Sequence, residues 1–532
     1  MSAMAGPIGA QVGAEVRIRL RSPATVVALL FVFAGSILWI PDPKSHASSL
    51  SWRLADGRVE APVYNAAYVG FAASALACIS VTLVGFYLVA GSVRRDRERG
   101  VGAILAATPL SNAEYLLGKF VAHCAYLAVV LGLALLAALT AWLRFGVGPF
   151  STSDFLVLFL LLSLPAVAVT AAGAVLFDAV PGLSGRGGYV AWFFVFALLL
   201  VALPMGLAGT DARGIMRRPP LLDPAGAATQ AALARQSVPG AVGFSTGLEI
   251  RDAPFPRVPW RGIAITPRLV ALRAVNLLIA VLPLGLAIAV FDRFDPARRL
   301  RREHRSRLAS RLRLRRRVPD EASGPAGETP HVALAPVAPH PSAWSAILAE
   351  ARLIWNAAGI LKWPLAASAL LAGALPGPGA APFFVLLLPA ISEVAARERL
   401  SGTQDLVFSQ PGVPSSTVLW KAAAVALFLL VLAAPLTIRA SIASPTRGAA
   451  AVAGVLFVAG AAVGLGSLTA GGKLFSAAYL VLWYMAVSGL PQADFSAALG
   501  RQPVARYSAV YLLIGLVLVA AAALRESRRR SA

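Results

Sequence analysis

Charged residues are scarce in this chain. Asp, Glu, Lys and Arg make up 14% of its 532 residues, while 58% are hydrophobic. A soluble domain needs about a quarter of its residues charged to cover its surface, so this composition excludes an ordinary soluble protein. Cysteine is almost missing: Cys78 and Cys124 are the two present, and both lie inside apolar segments. We therefore expect neither a disulfide framework nor a metal site.

A phosphate-binding loop is also missing. Gly118-Lys119 is followed by Phe120, and Gly472-Lys473 by Leu474, so neither can place a hydroxyl on magnesium beside a phosphate. If ATP drives this protein, the nucleotide and its magnesium belong to a partner chain. We expect no cofactor to be bound by this chain itself.

Enzyme signatures are equally weak. Gly243-Phe244-Ser245-Thr246-Gly247 matches the pattern of a hydrolase nucleophile elbow, but that turn needs a strand before it, a helix after it and a histidine base. No helix is evident after the motif, and His46 is the only histidine expected on the same, outer side of the membrane. We therefore interpret the chain as a protein without catalytic residues.

Charges within the apolar segments are few, and Lys362, Arg273 and Asp178 fall near segment ends, where side chains can reach water. An ion-coupled carrier usually needs buried carboxylates or a proton relay. The pattern favours an energy source outside the membrane.

Apolar segments of about 17–25 residues, the length that crosses a bilayer, dominate what is present. They predict an all-α polytopic membrane protein with about twelve transmembrane helices in two sets of six: residues 1–291 and residues 343–532. The first set is predicted at 23–41, 66–92, 117–143, 155–177, 188–208 and 268–291. The second set is predicted at 359–376, 380–396, 420–438, 448–470, 474–490 and 507–524. We interpret 23–41 as a retained span rather than a signal peptide.

The segment between the sets, residues 292–342, is basic and then rich in proline and alanine, which predicts a linker outside the bilayer. The formal charge of +23 lies in such loops and is not interleaved with aromatic residues, so we expect contact with membrane lipid and not with nucleic acid. An even number of spans and the positive-inside rule place both termini and the linker in the cytoplasm, with 42–65 and 209–267 outside. The predicted location is the plasma (inner) membrane.

An internal repeat links the two sets. Arg97-Glu98-Arg99 and Gly102 recur 300 residues later as Arg397-Glu398-Arg399 and Gly402, and after a two-residue insertion Pro109 and Lys119 recur as Pro411 and Lys421. Ser111-Asn112-Ala113-Glu114 is a capping box that predicts the start of a helix. One interpretation is a solvent-exposed helix end whose charges only determine the membrane topology. Two copies with apolar residues beside the charges favour a docking surface instead.

These motifs resemble the permeases of ATP-binding-cassette (ABC) exporters of the ABC transporter type 2 class. The resemblance implies that a turn after the second span of each half meets an ATPase subunit. The residues that it assigns to docking are Arg97, Glu98, Arg99, Gly102, Pro109, Arg397, Glu398, Arg399, Gly402, Thr403 and Pro411. It also implies amphipathic elbow helices before the first span of each half, carrying Glu15, Arg17, Glu350 and Arg352.

The resemblance implies a permease of two fused halves, worked by two copies of a separate cytoplasmic ABC ATPase. Export of an amphipathic or lipid-like cargo is the expected activity. Two alternatives stay open: an ATPase-linked complex that transmits force or a signal without cargo, and a membrane-embedded enzyme that acts on lipid.

Overall fold

The helices of the chain begin and end close to the predicted spans. The computed structural model describes residues 7–180, 183–199, 219–238, 240–294, 343–375, 380–408, 413–487, 491–499 and 505–531. In the first half the α-helices are α1 Pro7–Leu20, α2 Pro23–Trp39, α3 Ala66–Ser80, α4 Phe86–Val89, α5 Ser92–Glu98, α6 Val101–Ala106, α7 Asn112–Phe145, α8 Leu158–Ala179, α9 Arg186–Ala197, α10 Ala227–Gln236, α11 Pro267–Leu278 and α12 Val281–Val290. In the second half they are α13 Ala343–Ala357, α14 Lys362–Ala374, α15 Ala381–Ile391, α16 Arg397–Leu400, α17 Gln404–Phe408, α18 Val413–Ala443, α19 Pro445–Thr469, α20 Lys473–Val487 and α21 Ala505–Ser531.

Seven of the described helices are long and apolar enough to cross a membrane, and an eighth is added if the bent pair α13–α14 forms one span. Three shorter apolar helices lie at further predicted spans: Ala28–Trp39, Gly187–Ala197 and Lys473–Val487. The all-α polytopic membrane class is confirmed, whereas the number twelve stays a prediction. Pro411, the linker beyond Phe294 and the end of the predicted span 188–208 lie outside the described residues.

Local sequence signals set several helix starts. The predicted capping box is present: the Ser111 hydroxyl accepts from the Glu114 backbone N–H, and the Glu114 carboxylate accepts from the Ser111 backbone N–H. Asn65 caps α3 by accepting from the Tyr68 N–H, and Thr266 caps α11 directly before Pro267. The second span is locally widened into a π-helix at Val81–Gly85.

A small β-sheet, which the sequence analysis did not predict, is built from the two loops 42–65 and 209–267. The strands are β1 Ala47–Ser48, β2 Ser51–Leu54, β3 Val59–Pro62, β4 Ala241–Ser245, β5 Glu249–Ile250 and β6 Arg257–Val258. Four of them form one sheet in the order β4-β2-β3-β6, and β1 pairs with β5. The hydrolase-like motif lies on β4, where Ser245 pairs with Ser51, so it has the geometry of a strand and not of a nucleophile elbow.

The sheet marks one end of the bundle. The loop that carries β1 to β3 precedes α3, and Phe145 at the end of α7 meets Tyr64 beside that loop, with ring centroids 6.0 Å apart. The segment 90–111 lies between the far end of the second span and the start of α7, so it belongs to the opposite end. We call these the sheet end and the turn end. Since both loops join in one fold, they lie on the same side of the membrane.

Small residues bring α19 and α21 together. A Cβ added to Gly460 would come within 2.8 Å of the Gly515 carbonyl oxygen, and one on Gly464 within 2.7 Å of the Leu518 side chain. The two helices therefore approach at backbone contact, as small residues permit in membrane proteins.

Two of the charges expected to reach water are buried instead. The Arg273 side chain donates to the carbonyl oxygens of Asp223 (2.6 Å) and Leu162 (2.8 Å). Asp178 accepts from the backbone N–H groups of Gly91 (2.7 Å) and Val93 (3.1 Å), which begin α5. Both are retained inside because they satisfy backbone groups that water cannot reach.

Candidate functional site

At the turn end of the first half, a buried glutamate joins three helices. Glu15 on α1 is 3% exposed and lies within 2.5 Å of Arg95 on α5, 2.8 Å of Arg19 and 2.9 Å of Lys119 on α7. Lys119 also pairs with Asp96 at 2.7 Å. We call Glu15, Arg19, Arg95, Asp96 and Lys119 the first clamp. It fixes the turn 90–111 to α1, the helix that precedes the first predicted span.

The Glu15 carboxylate is charged within the first clamp. Burial alone would raise its pKa, but the positive charges of Arg19, Lys119 and Arg95 outweigh that effect and hold the pKa well below its usual range. A close approach supports the same contact, because a Cβ on Gly118 would collide with the Gln11 side chain of α1 at 2.3 Å. A side chain at position 118 would therefore force the flexible end of the Gln11 side chain to move.

The second half has a corresponding cluster with fewer charged residues. Glu350 on α13 pairs with Arg397 at 2.8 Å, and Lys421 on α18 contacts Glu398 as well as the Val394 carbonyl oxygen at 2.8 Å. We call these four charged residues the second clamp. Among the described residues Glu350 pairs with Arg397, whereas Glu15 pairs with three cationic side chains. At the position that matches Arg19 the second half has the buried apolar residue Ile354.

The clamps correct the predicted alignment of the repeat. Their contacts match when residues of the turn and the following helix are related by one constant offset of 302. The pairs whose contacts match are Arg95 and Arg397, Asp96 and Glu398, and Lys119 and Lys421. In the sequence, Gly100 and Gly402 and also Pro109 and Pro411 have the same offset. Gly100 and Gly402 also share a left-handed backbone, with φ of 75° and 69°. The predicted offset of 300, which paired Glu98 with Glu398 and Gly102 with Gly402, was wrong because it matched identical letters rather than contacts.

The turn beside each clamp carries one apolar side chain that is strongly exposed. Ile104 on α6 is 69% exposed and Leu406 on α17 is 72% exposed, and they too are 302 residues apart. The repetition of such exposure at equivalent positions of two turns favours a surface that another protein covers. The sequence analysis noted apolar residues in these loops but did not single out this pair. The corrected offset identifies it.

The predicted docking residues divide into distinct environments. Glu98 is 54% exposed and lies 3.5 Å from Arg94, whereas Glu398 is engaged by Lys421. Gly102 is buried, and Arg97 pairs with Asp292 at 3.3 Å. Of the remaining predicted positions, Arg99, Pro109, Arg17 and Arg352 are exposed, and Arg399 is half-buried. The Thr403 hydroxyl lies 2.9 Å from the Ser401 hydroxyl. Of the predicted elbow residues, Glu15 and Glu350 thus belong to the clamps, and Arg17 and Arg352 do not.

The two halves meet directly beside the clamps. Lys473, at the start of α20, donates to the Ala90 carbonyl oxygen of the first half, and Arg94 lies 4.0 Å from Glu393 of the second. Deeper in the bundle the rings of Phe193 and Trp483 pack 5.0 Å apart. A displacement of either turn would therefore act on the contact between halves.

Residues 44–218 match the family model described as ABC-2 family transporter protein. This match identifies residues 44–218 as part of an ABC-2 type permease. The match covers about a third of the chain, from the first strand through α9, and includes the turn 90–111 of the permease. The second half lies beyond the matched residues, so its relation to the first rests on the shared contacts of the clamps. Searches of curated proteins and of solved structures found no match.

Proposed function

We propose that this permease is the membrane subunit of an ABC exporter, in which two copies of a separate cytoplasmic ATPase drive an amphipathic or lipid-like cargo across the plasma membrane. The observation that carries the proposal is the pair of clamped turns, each of which has a strongly exposed apolar side chain at the equivalent position, Ile104 or Leu406. Two matching surfaces on one chain suit two copies of one partner. ATP and magnesium would bind that partner, because the permease has no phosphate-binding loop.

The contact between the halves supports the proposed cargo class. Aromatic pairs span it, with Phe193 against Trp483 and Phe196 against Tyr484 at centroid distances of 5.0 and 6.0 Å. A path opened along such a surface offers apolar contact and few charges. Cargo with an apolar part would bind there at the least desolvation cost.

Aspartate at the two exposed positions tests the docking. Burying one leucine or isoleucine is worth about 1.5–3 kcal/mol, which is about tenfold or more in affinity, and a buried unpaired carboxylate costs more. We expect Ile104→Asp or Leu406→Asp to weaken association with the ATPase that copurifies with the wild-type permease by at least about tenfold, and the double variant to abolish it. Association is measured by quantitative copurification at equal permease abundance.

Val147→Asp is the matched control. Val147 is 58% exposed at the sheet end, so the same substitution should leave association unchanged. Normal association of the Ile104→Asp, Leu406→Asp double variant would place the partner elsewhere and refute the proposed docking. Cargo efflux measured beside ATP turnover separates the proposed exporter from a complex that transmits force without cargo, because the latter would hydrolyse ATP with no efflux.

The same proposal implies an orientation in the membrane, with the sheet end outside the cell and the turn end in the cytoplasm. Asp56 lies at the exposed tip of the β2–β3 hairpin and Leu406 on α17, while both native cysteines are fully or partly buried in helices. In intact cells we expect a membrane-impermeant maleimide to label Asp56→Cys and not Leu406→Cys. Labelling of Leu406→Cys alone would invert the topology.

A further inference from the structure

The chain that leaves α12 folds back onto the first turn. We call residues 291–294 the linker root. Asp292 pairs with Arg97 at 3.3 Å, and the Arg97 guanidinium lies 5.6 Å from the centroid of the Phe294 ring. The Phe294 ring fills the notch left by a missing side chain: a Cβ on Gly102 would be 2.7 Å from it. Gly102 therefore serves ring packing rather than backbone freedom.

Further contacts secure the linker root at both ends of α6. Arg293 donates to the Thr108 carbonyl oxygen at 2.8 Å, just after α6 ends. Tyr115 on α7 stacks on Phe291 with centroids 5.5 Å apart and meets the Phe294 ring edge-on at 5.7 Å. Arg293 and Phe294 have φ of 49° and 62°, a backbone region that costs free energy for such residues. The surrounding contacts offset that cost and hold the segment against the turn.

The second turn differs at the decisive position. The residue 302 positions after Gly102 is Gln404, which has a side chain where the first turn has the notch. A ring cannot enter there in the same way. The difference is specific, because the charged residues and the left-handed glycine around it are shared by both turns.

We propose that the linker root is a built-in part of the first docking surface, so that Phe294 and Asp292 position Ile104 for the ATPase, whereas no segment among the described residues packs in this way on the second turn. The inference rests on the proposed function, since it concerns the same partner. It makes the two docking surfaces inequivalent. It also implies that a movement of the first turn by the ATPase displaces the start of the 292–342 linker.

Variants that retain one docking surface test this. Leu406→Asp leaves the first surface, and Ile104→Asp leaves the second. In the Leu406→Asp background we expect Phe294→Ala to weaken association with the copurifying ATPase by about tenfold or more. In the Ile104→Asp background Phe294→Ala should change association by less than about twofold. Phe294→Tyr, which keeps the ring, should restore binding in the first background.

Gly102→Leu and Gln404→Leu form a matched pair at equivalent positions. Gly102→Leu displaces the Phe294 ring without removing it and should reproduce the loss in the Leu406→Asp background, whereas Gln404→Leu should not reduce binding in the Ile104→Asp background. Equal losses in both backgrounds would show general destabilisation and overturn the inference, as would no loss in either. Failure of the proposed function is distinct: then the Ile104→Asp, Leu406→Asp double variant itself would still bind.

Discussion

Glu15→Gln is expected to destabilise the permease by about 3–5 kcal/mol, the usual cost of removing one partner from a buried ion cluster. Glutamine has nearly the same shape, but it leaves Arg19, Arg95 and Lys119 without the carboxylate that lies within 2.9 Å of each. Asp96 compensates Lys119 at 2.7 Å and, at the longer distance of 3.9 Å, Arg95. The loss should appear as lower thermal stability in detergent, measured by the fraction that remains monodisperse after heating.

Glu350→Gln provides the control at the equivalent position of the second clamp. Glu350 has Arg397 as its cationic partner and is more exposed, so we expect a loss of at most about 1 kcal/mol. Similar effects of the two substitutions would show that the first clamp is not the stronger one.

The effect of Glu15→Gln should also be independent of pH between 5 and 8. The folded pKa of Glu15 is held below the value of 4.5 expected for an exposed glutamate. A carboxylate with a lowered pKa contributes stability that is fully present above its unfolded pKa and is lost as pH falls through its folded pKa. That loss lies well below pH 5. A difference between wild type and variant that shrinks between pH 8 and 5 would contradict the assignment of the charge.

Arg273→Met is expected to release the sheet from the membrane helices. Arg273 is 1% exposed and holds the Asp223 and Leu162 carbonyl oxygens, and Asn276 one turn away accepts from the Asp223 N–H at 2.7 Å. Asp223 in turn caps α10 by accepting from the Thr229 N–H at 2.6 Å. Methionine would leave buried carbonyl groups unpaired, each at about 1–3 kcal/mol. Protection of α10 against hydrogen exchange should fall by about a hundredfold or more.

Arg268→Met is the control on the same helix, because Arg268 is exposed. It should leave exchange in α10 unchanged. Hydrogen exchange in the first clamp should stay at its wild-type rate in both variants, since the clamp lies at the other end of the bundle. Unaltered protection of α10 in Arg273→Met would mean that the strands, and not Arg273, hold this region.

The membrane helices were predictable because length and apolarity alone decide whether a segment can cross a bilayer. The capping box at Ser111 was predictable too, since both of its hydrogen bonds form within four residues. Such features depend on neighbours in sequence, and a single chain displays them directly.

The sheet and the clamps depend on distant partners, and there the sequence was insufficient. β2 has four residues and finds β4 in another loop, so neither shows a long alternating pattern. Arg273 was placed near water because its charge was visible and its acceptors, which are backbone carbonyls, were not. The repeat was misaligned by two residues because Arg97-Glu98-Arg99 matches Arg397-Glu398-Arg399 in letters. Only the contacts to Lys119 and Lys421 reveal that Asp96 is the counterpart of Glu398.

The pairing of β2 with β4 also limits how early the sheet can form while the chain is being synthesised. The indole of Trp52 donates to the Ala234 carbonyl oxygen, 182 residues further along the chain. At about 5–20 residues per second, the hairpin β2–β3 waits roughly 10–40 s for its partner strand to be synthesised. The four predicted spans between them, 66–92, 117–143, 155–177 and 188–208, must be inserted during that interval. The four-stranded sheet therefore cannot be completed before these spans have been synthesised, and until then the edge of the hairpin that pairs with β4 is open to a wrong partner.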